Sequence, residues 1–478
     1  MTFVRRSRFI RETGCRDAQT HMKLRDPIIG LDFLLDKLLG RVPETYLDAA
    51  HQDFLRLGQT YTAKRWTFEV LYTCNKDNIR QILGVGFNDW ELPGLRVASM
   101  SSLLGRGIFT LNGHEWSHSR ALLRPSFTKK NLEPLKDLLE HHFQAFLKRI
   151  PADGETVNLQ PLFFELTMDV ATEFLMGVST NMLDGTRGHE REQQFVDDYQ
   201  FCSEVCSRKL QMGPLHFCVI SPSGIRAKNR VFRYVDDYVE KCLKQQVTDD
   251  SERYNVLYEL AKSTEDPATL RDQVLHVLLA SRDTAASLLS NLFFVLAKRP
   301  DIYAKLRSEV IEVAGTESVT NEQLHEMPYV KWCVQEALRL YPVVPTNART
   351  ASRDTTLPQG GGADGKSPLF VPKGGIIIYN MYSLHRDPAV YGGDPEDFRP
   401  ERWDGLRPGW SYLPFSGGPR ICIGQHYAVK ELHYFVARMA QTFEVLESQD
   451  ESEWTEQYAL LMTCKNGVHV SLTRACRE

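Results

Sequence analysis

The chain has 478 residues, 42% of them hydrophobic and 25% charged, with a formal net charge of −4. This is ordinary globular composition, long enough for a large buried core and, by length alone, for two or three domains. It excludes collagen-like, low-complexity and disordered classes, and the charge gives no reason to expect a nucleic-acid partner.

Met1 to Arg25 carries seven basic side chains (Arg5, Arg6, Arg8, Arg11, Arg16, Lys23, Arg25) against Glu12 and Asp17. With no apolar core, this stretch is not a signal peptide. An amphipathic stretch, Ile28–Leu39, follows. The pair suits an anionic membrane surface, or else a solvated arm leading into a first core helix. The best apolar run, Leu288–Ala297, is half a membrane span and contains Asn291. From about Pro43 to Lys298 the pattern is mainly helical, with apolar residues at threes and fours in Leu132–Ile150, Leu159–Met176 and Val231–Leu243. Tyr61–Ala63 and Thr67–Leu71 are β-like, and Gly84–Gly107, rich in Gly, Pro and Ser, reads as loop. Asp266–Pro300 predicts a helix of about 30 residues, roughly 45 Å long. After Arg339, prolines and the Gly360–Gly362 run break helices, and Ile376–Tyr379 is strand-like. A last helix over Gln425–Phe443 and strand-like pieces at Tyr458–Thr463 and Val468–Leu472 close the chain. The expected fold is mainly α with a small β part. It comprises a basic membrane-proximal segment over 1–27 and a single domain over 28–478.

The ten cysteines are scattered and form no CxxC pair, which argues against a zinc ribbon or a redox dithiol and fits a reducing compartment. Cys202 and Cys206 share a helix face, where two small core residues are the simplest reading. His114 and His118 also share a face, but lack the third ligand that a catalytic zinc site needs.

The strongest chemical signal is FSGGPRICIG, Phe415–Gly424. Glycines around Cys422 let backbone come close to a flat ligand and aim N–H groups at sulfur, which sets its donor strength. Phe415 can pack on such a ligand and exclude water, and Arg420 offers a cationic fork for a carboxylate at its edge. Gly424 opens a helix whose N-terminus favours an anionic sulfur. A buried thiol in a glycine-rich turn would explain Cys422 alone, but not the ten-residue pattern.

That loop resembles the F-x-x-G-x-R-x-C-x-G of the cytochrome P450 family, with every fixed position matched. The resemblance implies the family's helix-rich triangular prism, heme b (iron protoporphyrin IX) as cofactor, and Cys422 as axial ligand of the heme iron. Further segments extend it. Glu336-Ala-Leu-Arg339 is similar to E-x-x-R and Pro400–Trp403 to P-E-R-F, implying a buried structural charge network of Glu336, Arg339 and Arg402. LLASRDTAASLL, inside the long helix, looks like the oxygen-activating segment, with Thr284 bonding dioxygen and Asp283 relaying protons. Ser281 stands where Gly is usual, and Ala285 where a second hydroxyl is usual. Trp116 and Arg120 resemble W-x-x-x-R, whose residues reach the heme propionates, and Arg349 matches another propionate contact.

The resemblance covers Asp26–Leu472. GHEWSHSRALLRPSF, YLPFSGGPRICIGQ and Arg282 look most like the fungal branch that hydroxylates alkanes and fatty acids. It implies a monooxygenase acting on a lipophilic molecule, either an aliphatic chain end or a fungal secondary metabolite. O2 and NADPH–cytochrome P450 reductase would be its partners. Pocket residues are expected within Trp90–Phe109, Gln200–Ser221, His276–Thr284, Val343–Asn347 and Tyr458–Thr463. The alternatives are a heme-thiolate isomerase or dehydratase, which the Asp–Thr pair argues against, and a non-catalytic heme-binding relative, for which only Ser281 and Ala285 speak. Members usually carry an N-terminal anchor, and this sequence begins about where one would end. The expected location is the cytosolic face of the endoplasmic reticulum, in a peripheral or cytoplasmic form.

Overall fold

The structure is a computed structural model that describes residues 2–18, 20–26, 28, 30–32, 45–185, 189–245, 254–458 and 460–475. The chain divides into two compact units, neither of them continuous. The first comprises Met1–Gly94, Arg339–Asp397 and Gly405–Cys422; the second comprises Leu95–Leu338, Phe398–Asp404 and Ile423–Glu478.

The first unit is built on a five-stranded sheet. Thr60–Arg65 pairs antiparallel with Phe68–Thr73, which runs parallel to Ile376–Asn380; Thr346–Ala351 and Trp90–Glu91 complete it antiparallel. The parallel pairing, Leu71 opposite Ile377, joins segments some three hundred residues apart and accounts for the apolar IIIY run. Ile377 and Tyr379 are fully buried with Ile79, Ile82 and Leu83 in the main core of this unit. A smaller core lies around Tyr61 and Tyr72, which are register partners stacked at 5.2 Å. A separate hairpin pairs Thr355–Gly361 with Ser367–Val371.

The basic N-terminal segment is built into this unit. Thr2–Thr13 is helical, Phe9 packs on Phe370 at 5.8 Å, and Arg16, Ala18 and His21 form bridges with Leu369, Gly361 and Thr62. Residues 33–39 of the amphipathic Ile28–Leu39 stretch lie outside the described residues. Among the described residues no helix is long and apolar enough to cross a membrane.

The second unit is helical around Pro267–Lys298, a helix of 32 residues. Asp266 caps it by accepting from the Thr269 N–H at 3.0 Å, and Pro267 occupies the first turn. It packs on Leu159–Met176, whose bounds coincide with the expected apolar stretch. An aromatic column ties the helices together: Phe435, Phe143, Phe146, Phe163 and Phe293 follow one another at 5.4–6.3 Å. Small β elements finish the unit, a three-stranded sheet of Thr156–Asn158, His469–Arg474 and Phe443–Ser448 and a hairpin of Glu456–Tyr458 with Met462–Cys464.

Two local expectations are corrected. Gly84–Gly107 is not all loop, because Gly94–Leu104 is a helix in which Ser101 and Ser102 return their hydroxyls to the Val97 and Ser99 carbonyls. Tyr458–Thr463 is not one strand but spans the turn of a hairpin. Cys202 and Cys206 are core residues of the helix Glu190–Gln211.

Candidate functional site

The residues singled out in the sequence fall into two groups, one in each unit. In the first unit the loop from Phe415 to Cys422 closes on itself, with the Cys422 N–H donating to the Phe415 carbonyl at 2.9 Å. Inside that closure the Ile421 N–H donates to the Gly418 carbonyl at 3.0 Å, forming a tight turn over Gly418–Arg420. Gly418 has φ +65°, and a Cβ there would sit 1.7 Å from the Leu83 carbonyl oxygen, so only glycine fits. At Gly417 a Cβ would meet the Trp410 ring at 2.8 Å. The loop presents Cys422 as an exposed side chain, with Phe415 and Arg420 half-buried.

Arg339, fully buried, braces the segment that leads to this loop. Its guanidinium donates to the carbonyls of His385, Pro395 and Asp397 at 3.1, 2.6 and 3.1 Å and lies 5.0 Å from the Tyr391 ring. Tyr391 in turn donates to the Ser411 carbonyl at 2.9 Å. The sequence reading missed His385. Its Nε2 accepts from the Leu413 N–H at 2.9 Å, which places the hydrogen on Nδ1, 3.3 Å from the Arg339 carbonyl. An imidazole next to Arg386 and Asp387 was visible in the sequence, but bonds to main-chain atoms leave no pattern there.

Arg349, on the strand Thr346–Ala351, is 4% exposed. Among the described residues its hydrogen bonds go to neutral oxygens, Asn347 Oδ1 at 3.3 Å and the Ala348 carbonyl at 2.8 Å. A buried guanidinium without a carboxylate is costly, and an anionic ligand would relieve that cost.

In the second unit, Trp116 is buried and Arg120 half-buried on the helix Gly113–Leu123, with the Arg120 guanidinium 5.9 Å from the indole. Ser119 fixes this helix to the long one by donating to Gln273 at 2.8 Å. Nearby, His276 is fully buried against Phe109, whose N–H donates to its Nδ1 at 3.3 Å. Burial holds His276 down to about 3, so it is neutral.

Between Asp272 and Ala297 every residue of the long helix is buried except Ala280, Ser281, Asp283 and Thr284. These four are half-buried and lie at helical spacing, so they make one accessible face on an otherwise enclosed rod. Thr284 donates its hydroxyl to the Ala280 carbonyl at 2.6 Å, and Ser281 donates to Val277 at 2.9 Å. The serine hydroxyl thus lies along the helix. Arg282, buried on the other side, donates to Asp283 at 2.9 Å and to Gln200 at 3.1 Å, with its guanidinium 5.3 Å from the Phe164 ring. Burial pushes the Asp283 carboxyl above its ordinary value, and Arg282 opposes that. Gln200 opens the expected pocket segment Gln200–Ser221, whereas Phe164 is a residue that the sequence did not single out.

Glu336 accepts from Arg402 at 2.7 Å, from the Trp403 indole at 3.0 Å and from the Arg399 N–H at 3.0 Å. Gly424 begins the helix Gln425–Thr442, two residues past Cys422; a Cβ there would touch Phe127 at 3.4 Å.

The cytochrome P450 family profile matches residues 25–470. Cytochrome P450 monooxygenase fsdH of Fusarium heterosporum is 41% identical, covering 100% of this chain and 86% of its own. Cytochrome P450 monooxygenase himC of Aspergillus japonicus is 41% identical, over 97% of this chain and 84% of its own. Cytochrome P450 52A13 of Debaryomyces hansenii is 40% identical, over 87% and 83%. An accessible cysteine at the end of a closed glycine loop suits a thiolate-bound heme iron. The chain belongs to the cytochrome P450 family and is a heme-thiolate monooxygenase.

Proposed function

We propose that Cys422 is the axial ligand of a heme b and that the protein hydroxylates a long aliphatic substrate near its chain end. The carrying observation is the closed Phe415–Cys422 loop, complete in every family position, with its thiol turned to an accessible surface. The heme, when bound, supplies insertion of one atom of O2 into a C–H bond, the other leaving as water, with two electrons from NADPH through a reductase.

The chain's own residues bind, orient and deliver protons. Phe415 shields the thiolate, and the start of the helix after Gly424 favours its negative charge. Arg349, Arg120, Arg420 and Trp116 are the propionate partners, and Arg349 has the clearest need of one. Thr284, whose hydroxyl now donates to the Ala280 carbonyl, would hold and donate a hydrogen bond toward dioxygen. Asp283, accessible beside it and held by Arg282, passes protons inward. Glu336, Arg339 and Arg402 secure the framework without touching the reaction.

The aliphatic substrate rests on the likeness of the Trp116 and Cys422 segments to the fungal alkane and fatty-acid branch. A membrane surface, the cytosolic face of the endoplasmic reticulum, is the proposed place of work. It is supported by the basic N-terminal segment and by Phe217 and Ile220, 67% and 79% exposed. The test has two arms. The reduced, carbon-monoxide-bound protein should show the red-shifted Soret band of thiolate ligation, lost in Cys422→Ala. Product analysis with reductase and a panel of fatty acids, alkanes and alkylated polyketides should show oxidation near a chain terminus. Turnover of a cyclic substrate alone would refute the aliphatic reading.

A further inference from the structure

The helices Leu135–Leu147 and Leu159–Met176 bring three metal-ligating side chains together, none of them assigned above to heme binding or proton transfer. His141, His142 and Glu173 each offer one ligand atom, all within 4.8 Å of one another. His142 is 2% exposed, with Nε2 2.8 Å from Glu173 Oε2. We propose that these residues form a binding site for a divalent transition-metal ion, zinc in the first place.

A buried histidine–glutamate bond would by itself explain His142 and Glu173, but not His141. Consecutive residues on a helix diverge by about 100°, so two imidazoles reach a common point only where it lies between their directions, beside the helix. Glu173, on the neighbouring helix, occupies that place. The two rings meet edge to face, 5.0 Å apart at 78°. Ligands at zinc distances of about 2.1 Å stand about 3.4 Å apart in a tetrahedron, so an inward turn of the exposed His141 completes the set. Two imidazoles and a carboxylate suit zinc and its neighbours, whereas magnesium and calcium prefer all-oxygen shells. The exposed His141 edge leaves a route for the ion and a fourth position for water. For His142 to bind through Nε2 its hydrogen must reside on Nδ1, so the ion takes the place of the proton now shared with Glu173.

The experiment uses untagged, heme-loaded protein stripped with a chelator, then titrated with zinc sulfate by calorimetry and dialysed for zinc analysis. Wild type should retain one zinc per chain, with a melting temperature that rises as zinc is added. His141→Ala removes an exposed side chain, and Glu173→Gln keeps an acceptor for His142. Both should therefore keep heme and the carbon-monoxide spectrum while losing at least the ~10–100-fold in affinity that even outer-shell changes cost. Failure of wild type to take up zinc saturably, or equal uptake by both variants, overturns the proposal.

Discussion

The Glu336 carboxylate meets the Arg402 guanidinium at 2.7 Å, with side chains 0% and 3% exposed. Removing one partner of such a pair strands the other, which costs roughly 3–5 kcal/mol. Glu336→Ala also frees the Trp403 and Arg399 N–H groups that now donate to it. The expected result is little or no heme-loaded protein, read as the carbon-monoxide difference spectrum per milligram of soluble chain. A folded, fully loaded variant would show the pair to be dispensable.

Thr284→Ala should leave substrate binding and heme content nearly unchanged but divert electrons to hydrogen peroxide. NADPH consumed, peroxide and product measured together should show product per NADPH falling severalfold. Ser281, whose hydroxyl bonds the Val277 carbonyl just as that of Thr284 bonds Ala280, is replaced by alanine in a parallel double variant so that it does not stand in for the lost one. Unchanged coupling would remove Thr284 from the proton path.

Stability should fall as pH rises toward 8, through Glu431. This carboxyl is 1% exposed, and one of its oxygens has no hydrogen-bond partner among the described residues. Burial pushes it from 4.5 up to about 8. Between those values the folded chain keeps a proton that the unfolded chain releases, so raising the pH favours unfolding. The penalty is absent below pH 4.5 and approaches about 5 kcal/mol at the top of the window, at 1.36 kcal/mol per unit. Glu431→Gln should flatten the decline between pH 5 and 8 in denaturant titrations. His276 works at the opposite end: held down to about 3, it loses its contribution as pH drops below its ordinary value of 6.5. The Gln variant should therefore leave the acid limb alone.

Wild type should sediment with anionic vesicles at low salt and release at high salt, since charge attraction is screened over about 10 Å at 0.1 M. Phe217→Ser with Ile220→Ser should weaken binding at both salts, because the lost contribution is apolar burial. Sedimentation indifferent to both salt and variant would rule out a surface attachment of this kind.

The long helix and Leu159–Met176 were legible because nearly continuous apolar faces and clean caps mark both. The closed loop that ends at Cys422 was legible because glycine, arginine and cysteine at fixed spacing leave a local trace. Gly94–Leu104 was not, since Ser101 and Ser102, which satisfy themselves on carbonyls inside the helix, blur any apolar stripe. The partners of Arg339 were hidden for a different reason. They include the carbonyls of His385, Pro395 and Asp397, and a carbonyl is offered by every residue type. The accessible face at Asp283 and Thr284 was expected from the family resemblance and not from the apolar pattern, because burial there is decided by elements far away in the chain.

The contact between Gly418 and the Leu83 carbonyl has a consequence for engineering. Leu83 lies in a single π-helical turn, Gln81–Val85, and Gly84 in the same turn approaches Trp410, against which Gly417 also rests. The shape of the cysteine loop is therefore specified at two places in the gene. A chimera that imports 415–424 from a relative while keeping its host's 81–85 would mismatch template and cast. Exchanging both segments together, with position 410, is the smallest transplant expected to preserve the loop.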